Sequence, residues 1–497
     1  MEQDKKRKIS DSAAYRAITG AFKRQRGGMT IADVVARTAL PLATVRELVN
    51  EVADEYSGHI SVTESGEILY SFPSGFKSRY NGFKAAALRT LGRIGRGLKI
   101  IGAALFKVWI MVMLVGYFVL FMLIALAALL LSVAASNSSN NNDRRSDSGG
   151  GLFFVSGIFD FIIRIWFYSE LTKSLNGGYY RNSVARERPK GKPLYKAIFS
   201  FVFGDGDPNA SMETRERQAL IAYIQANSGV ISLPEFMILT GTSGGEADSR
   251  ISAYCSEYGG MPEATGDGTV VYRFDALLLR ADKTDRSFGG FSAPLKQLKR
   301  FSSNQTKMNV WFSIINSANL IFGSYFFINA VKAGQILTQN HFDAASRLYG
   351  ITYVLAGKFI ANPLPAITIG LGVVPFIFSL LFWLIPLTRF TLLKKDNEKI
   401  KLENLRKSAF MHIWDNPAGV KPSDIKSELK ECSPKNIAAA QNRVINDMGV
   451  YSVPEVTVNE AGETVYSFNE LKREKTALEK YRSTVKPAGL GKIVFEA

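Results

Sequence analysis

The sequence predicts an α+β membrane protein: α-helical hairpins cross a bilayer, and a small helical module closed by a β-hairpin is repeated three times. Three observations predict it. One phrase recurs, Gly66-Glu67-Ile68-Leu69-Tyr70-Ser71-Phe72 returning as Gly268-Thr269-Val270-Val271-Tyr272-Arg273-Phe274 and as Gly462-Glu463-Thr464-Val465-Tyr466-Ser467-Phe468. Long apolar runs separate the copies in a chain of 497 residues that is 46% hydrophobic. The formal charge of +17 is unevenly spread, with Lys and Arg gathered beside the apolar runs. The first two copies also align without a gap when Gly66 is set on Gly268, so that Thr38, Glu55, Tyr56, Gly58 and Thr63 meet Thr240, Glu257, Tyr258, Gly260 and Thr265. Such a frame marks a repeated module.

Residues 1–28 form a basic tail and first helix, with Lys5, Lys6, Arg7 and Lys8 near the start. The first module spans 29–75. Thr30-x-x-Asp33 has capping-box form, and Ile31, Val34, Val35, Val45, Leu48, Val49 and Val52 follow at helical spacing. After Gly58 the period becomes two, with Ile60 and Val62, a Ser65-Gly66 turn, then Ile68, Tyr70 and Phe72. The second module, 210–279, repeats the cap as Ser232-x-x-Glu235. The third, 417–471, has Lys421-x-x-Asp424 there, which leaves its cap unsecured. Alternation places Tyr70, Phe72, Tyr272, Phe274, Tyr466 and Phe468 in the cores of their own modules. Three helices closed by a hairpin resemble a winged helix-turn-helix domain.

Between the modules lie the membrane segments. A basic juxtamembrane helix, 76–99, leads into the apolar run 100–135, whose only charge is Lys107; this exceeds the ~20 residues that span a bilayer. An external loop rich in Asn, Ser and Gly follows at 136–151. The run 152–171 reads as a second crossing or as an interfacial helix, since it carries Asp160 and Arg164. A basic segment, 172–209, joins it to the second module. Then come a basic linker (280–309), a third span (310–333), an external loop (334–350), a fourth span kinked by Pro363 and Pro365 (351–388), a basic linker and helix (389–416), and after the third module a C-terminal tail (472–497).

Charge sets the orientation. Residues 76–107 carry eight Lys/Arg and no acid, 173–196 seven against one, 283–307 six against one, and 389–407 seven against three. The positive-inside rule puts these flanks, the modules and both termini in the cytoplasm, which predicts a bacterial inner-membrane protein with four crossings. The same flanks suit anionic lipid headgroups.

The modules themselves are acidic. Residues 29–73 hold two basic against seven acidic residues, 213–279 four against nine, and 417–471 five against eight. Affinity for nucleic acid rests on Lys and Arg neutralising phosphates, so DNA is an unfavoured partner. The third helices instead offer an acidic docking face, Glu47, Glu51 and Glu55 in one module and Glu246, Asp248 and Glu257 in the next, suited to cytoplasmic proteins.

One stretch remains: Phe199-Ser200-Phe201-Val202-Phe203-Gly204-Asp205-Gly206-Asp207-Pro208-Asn209. With its neighbouring module and apolar helices it is similar to a poorly characterised family of membrane-anchored winged-helix proteins of bacteria, cyanobacteria and plastids. That resemblance implies a link to membrane-stress systems of the phage-shock type. Read by spacing alone, Asp205, Asp207, Asn209 and Glu216 occupy positions 1, 3, 5 and 12 of a calcium loop, but Ala210 stands where glycine is needed. A tight glycine turn with Asn209 or Ser211 capping the next helix is the simpler reading.

Three histidines (His59, His341, His412) and two cysteines (Cys255, Cys432) show no ligand spacing, and Cys255 reads as a buried, inert thiol. No cofactor and no catalytic constellation is expected. The sequence therefore predicts a non-enzymatic membrane scaffold or adaptor. Its rivals are a membrane-tethered transcription regulator and a transporter or channel component; oligomeric state is not legible.

Overall fold

The computed structural model describes residues 2–24, 27–73, 75–76, 79, 83–137, 192–281, 292–333, 346–426, 436–485 and 489–496. The run 152–171, with Asp160 and Arg164, lies outside the described residues, as do His341, Cys432 and most of both external loops. The architecture is mixed and mostly helical. The first module contains α1 (Glu2–Lys23), α2 (Ile31–Thr38), α3 (Leu42–Glu55), β1 (His59–Thr63) and β2 (Ile68–Ser71). After it come α4 (Phe83–Met111), a π-helical turn (Val112–Gly116), α5 (Tyr117–Asn137) and the short α6 (Leu194–Phe203). The second module runs α7 (Met212–Ala226), β3 (Val230–Ser232), α8 (Leu233–Thr240), α9 (Gly244–Tyr258), β4 (Met261–Ala264) and β5 (Val270–Arg273). Next are α10 (Thr306–Val331), α11 (Arg347–Gly357), a π-helical stretch (Ala366–Val373) and the long α12 (Val374–Asp415). The last elements are α13 (Ile437–Gly449), β6 (Glu455–Val458), β7 (Thr464–Ser467), α14 (Asn469–Thr484) and β8 (Ile493–Glu496).

Two compact units result. One gathers residues 1–89, 207–299 and 395–497; the other gathers 90–206 and 300–394.

In the first unit the repeated phrase builds the same object three times. Its glycine opens the hairpin turn: Gly66, Gly268 and Gly462 have φ of 79°, 81° and 77°, the left-handed region that other residues avoid. Each turn closes with one pair of bonds, Gly66 N–H to Thr63 O and Thr63 N–H to Glu67 O in the first copy, with equivalents at 265–269 and 459–463. The tyrosine is the register point. Tyr70 pairs with Met29, Tyr272 with Ile231 and Tyr466 with Val420, so the stretch before the second helix docks on the hairpin each time. The phenylalanine amide then closes the module, Phe274 N–H donating to Gly229 O at 2.8 Å and Phe468 N–H to Pro417 O at 2.7 Å.

Burial follows this register. Tyr70, Phe274 and Phe468 are fully buried, whereas Phe72, Tyr272 and Tyr466 are half-buried and pack against the same core. The capping boxes Thr30/Asp33 and Ser232/Glu235 are both formed. The third copy has only a 3₁₀ turn at Pro422–Asp424, and Lys421 there pairs with Glu463 at 2.7 Å. One continuous apolar core runs through all three modules.

In the second unit, helical stretches Gly97–Leu131, Thr306–Val331 and Pro363–Asp415 (the last extending into the first unit) are long and apolar enough to cross a membrane. The apolar region 351–388 is divided, α11 ending at Gly357 and helix resuming at Pro363. Two glycines let the spans approach closely: a Cβ on Gly323 would lie 2.9 Å from Phe376 N, and one on Gly372 3.0 Å from Phe327 Cα. Asn316 Nδ2 donates to the Ser379 carbonyl at 2.9 Å and Asn319 Nδ2 to the Leu114 carbonyl at 2.8 Å, inside the π-helical turn. The short α6 turns Ile198, Phe201 and Val202 onto Ile110, Phe312 and Phe382.

Candidate docking surface

The six acidic residues expected to form a docking face divide into two groups. Glu55 and Glu257, equivalent in the repeat, are held inside their own modules: the Tyr15 hydroxyl of α1 donates to Glu55, and Arg217 of α7 pairs with Glu257. Both tie the first helix of a module to its third. Glu47 and Glu51 on α3, and Glu246 and Asp248 on α9, are exposed. Glu47 and Glu51, one turn apart, form an acidic row on α3.

Helix α9 is occupied at both ends. Next to its first residue, a Cβ on Gly244 would stand 2.5 Å from the Asp447 carbonyl of the third module. At its other end the buried Tyr258 hydroxyl donates to the Ala39 carbonyl of the first module at 3.0 Å. The capping carboxylates are shared in the same way. Asp33 accepts the Ala281 amide at 2.9 Å. Glu235, buried, accepts both arms of Arg482 from α14 at 2.9 and 2.7 Å, and Arg482 also donates to the Val230 carbonyl at 2.8 Å. A cap and an intermodule joint are thus the same carboxylate.

Residues 472–497, expected as a tail, carry most of α14 and all of β8. Tyr481 of α14 donates to Glu263 of the second module. Strand β8 pairs antiparallel with β1, and Glu64 N–H donates to the Lys492 carbonyl at 2.9 Å. The hairpin edge of the first module is therefore covered by the chain's own end.

The four side chains of the calcium spacing go to separate partners. Asp205 accepts from Lys192, from Ser200 at 2.8 Å and from the Ser303 amide at 2.7 Å. Burial alone would raise its pKa, but these donors hold it below the usual carboxylate range. Asp207 pairs with Lys299 at 3.4 Å and Glu216 with the buried Lys407 at 2.6 Å. Asn209 makes a two-bond clasp on the peptide of Gln297, at 2.7 and 2.8 Å. Asn397 and Asn404 clasp Lys299 and Lys296 in the same manner. Among the described residues no group of three His, Cys, Asp or Glu side chains is arranged to hold a metal.

The glycine turn is present, with Gly204 at φ 83° and Gly206 at 95°. Ser211 stands at the start of α7 without a side-chain capping bond, and its hydroxyl accepts from Arg215. Arg389 donates to the Phe201 carbonyl at 3.0 Å and to Val202, closing the end of α6, and stacks on Phe301. Sequence reasoning missed Arg389, Arg482 and the three asparagine clasps, because each joins segments about 90 or more residues apart. Cys255 is half-buried, and burial pushes its thiol up to about 11.

Over 492 residues the chain is 25% identical to an uncharacterised chloroplastic protein of Arabidopsis thaliana, covering 91% of this chain and 80% of that protein. No protein-family model and no solved structure matches the chain. A distant chloroplastic relative fits a poorly characterised family with plastid members.

Proposed function

We propose that the protein is a non-enzymatic membrane scaffold or adaptor, presenting three winged-helix modules for protein docking at the cytoplasmic face of a bacterial inner membrane. The observation that carries this reading is the acidic row on α3. Glu47 and Glu51 are exposed on the helix that a DNA-reading winged helix would lay in the major groove. Acids there oppose a phosphate backbone and suit a basic protein surface. The hairpin edge next to it is closed by β8, so the free face of the first module is narrow.

Parity supports four crossings. The segments before residue 90, from 207 to 299 and after 394 belong to one compact unit, so they share one side of the bilayer. The span Gly97–Leu131 takes the chain across once, and a return before residue 207 restores the side. The apolar run 152–171 is the segment of suitable length. Similarity to the poorly characterised bacterial and plastid family adds a role in membrane stress.

The test is a charge reversal in the full-length protein, Glu47→Lys with Glu51→Lys, combined with site-directed crosslinking from Asn50→Cys in native membranes. The expected result is one dominant protein adduct, lost on charge reversal. Salt-resistant, sequence-specific duplex DNA binding by the unmodified protein would overturn the docking reading and favour a tethered regulator.

A further inference from the structure

The buried stripe of α10 consists of Phe312, Asn316, Asn319, Gly323 and Phe326, so two amides stand among residues that would face a bilayer's interior. Asn319 lies at the midpoint of Thr306–Val331, and Leu114, whose carbonyl takes its amide, at the midpoint of Gly97–Leu131. In a bilayer that level is the hydrocarbon centre. We propose that Asn316, Asn319 and Ser379 bind a dehydrated alkali-metal cation there. The site is independent of the docking reading.

The hydrogen bonds decide which atoms are left for a ligand. Each asparagine commits its Nδ2 to a backbone carbonyl, Asn316 to that of Ser379 and Asn319 to that of Leu114. The amide orientation is thereby set, and the remaining atom is Oδ1, an acceptor. Both Oδ1 atoms are buried and meet no hydrogen-bond partner among the described residues, and the same holds for the Ser379 hydroxyl. Other hydroxyls on these spans return to a carbonyl four residues back, as at Ser313, Ser317, Ser324, Thr368 and Thr388. Ser379 does not make that bond. Buried polar atoms left in this way are costly and call for a partner.

The fold places these oxygens together. Asn316 and Asn319 are one turn apart on one face of α10, and Asn316 is bonded to the same residue whose hydroxyl is unpaired. The close approaches at Gly323 and Gly372 hold the backbones of the two spans against each other beside them. Two π-helical stretches, Val112–Gly116 and Ala366–Val373, pack on α10. Such stretches interrupt the regular helical ladder and recur at functional sites. The charge of the ligand follows from the donor set. Residues 97–131, 306–331 and 363–395 contain no Asp or Glu, so a divalent ion, which takes carboxylates, is not matched. Two amide dipoles turn their negative ends to one face. A single cation meets several such oxygens at once, as carbonyls do when they replace an ion's hydration shell.

The experiment uses the full chain in phosphatidylcholine nanodiscs. Its unfolding temperature is read in lithium, sodium, potassium or N-methylglucamine chloride at equal ionic strength, and the most stabilising alkali ion is then titrated by calorimetry. One alkali cation should raise the unfolding temperature saturably over N-methylglucamine. Ser379→Ala should weaken that ion by about tenfold. It should leave the unfolding temperature in N-methylglucamine unchanged, since the hydroxyl it removes has no hydrogen-bond partner among the described residues. Asn319→Leu should abolish the ion's effect in addition to any loss of stability common to all four salts. Asn329→Leu, on the same helix, should preserve it, because that amide returns to the Tyr325 carbonyl. Equal unfolding temperatures in all four salts, the result a bound water alone would give, overturn the proposal. So does cation binding that Ser379→Ala and Asn319→Leu leave intact.

Discussion

At the scale of single residues, the glycine of the repeated phrase opens each hairpin turn in the left-handed region, while of the six aromatics placed in the cores by alternation Tyr70, Phe274 and Phe468 are fully buried and Phe72, Tyr272 and Tyr466 half-buried. Gly58 and Gly260, equivalent in the repeat, have a reason the sequence did not reveal. A Cβ on Gly58 would stand 2.8 Å from the Phe72 ring, and one on Gly260 would press still closer on Phe274. Truncating a fully buried ring, as in Phe274→Ala or Phe468→Ala, should cost about 3–5 kcal/mol in denaturant unfolding. Gly260→Ala should also destabilise, because the added methyl would press on the buried Phe274 ring. Glu474 makes a second prediction. It is 8% exposed, and burial together with Glu235 and Glu470 raises its pKa to about 7, despite the Tyr451 hydroxyl donating to both its oxygens. The folded protein thus holds this proton more tightly than the unfolded chain does. Its contribution is most favourable below the ordinary glutamate pKa, and is lost as pH rises through about 7. The change should be about 3 kcal/mol. Glu474→Gln should flatten the fall in stability between pH 5 and 7.5, and an unchanged slope would contradict the assignment.

At the scale of elements, the helices and hairpins were legible because each carries a local signal: a capping box, a 3.6-residue or two-residue period, a left-handed glycine. What joins the elements was not, because α14 and β8 act far from their own sequence. Residues 472–497 read as a C-terminal tail, yet Arg482 of α14 reaches a buried glutamate 247 residues away. Arg482→Ala would leave Glu235 buried without its cation, which should cost about 3–5 kcal/mol. Hydrogen exchange would show faster opening of β3 and α8 first. If removing Arg482 changed neither, α14 would be a surface passenger and not a clamp. The Phe-Gly-Asp-Gly-Asp-Pro-Asn segment has a similar reading. Its spacing suggests a cation loop, but Asp205 and Asn209 instead hold backbone of the stretch 297–303. Asn209→Ala should loosen that stretch in hydrogen exchange, and added calcium should have no effect on the unfolding temperature.

At the scale of the whole molecule, apolar runs marked three helices long enough to cross a membrane, and the modules share one core instead of standing apart on linkers. That sharing has a consequence for topology: the modules cannot lie on opposite sides of a bilayer and keep the Arg482–Glu235 and Tyr258–Ala39 joints. The most direct test is cysteine accessibility in intact cells. Single cysteines at the exposed positions Glu47, Asp267 and Glu460, in a background with Cys255 and Cys432 replaced, would be treated with a membrane-impermeant maleimide. The account predicts that none reacts from outside and that all three react once the membrane is opened. Labelling at Asp267 from outside, with Glu47 and Glu460 protected, would contradict it.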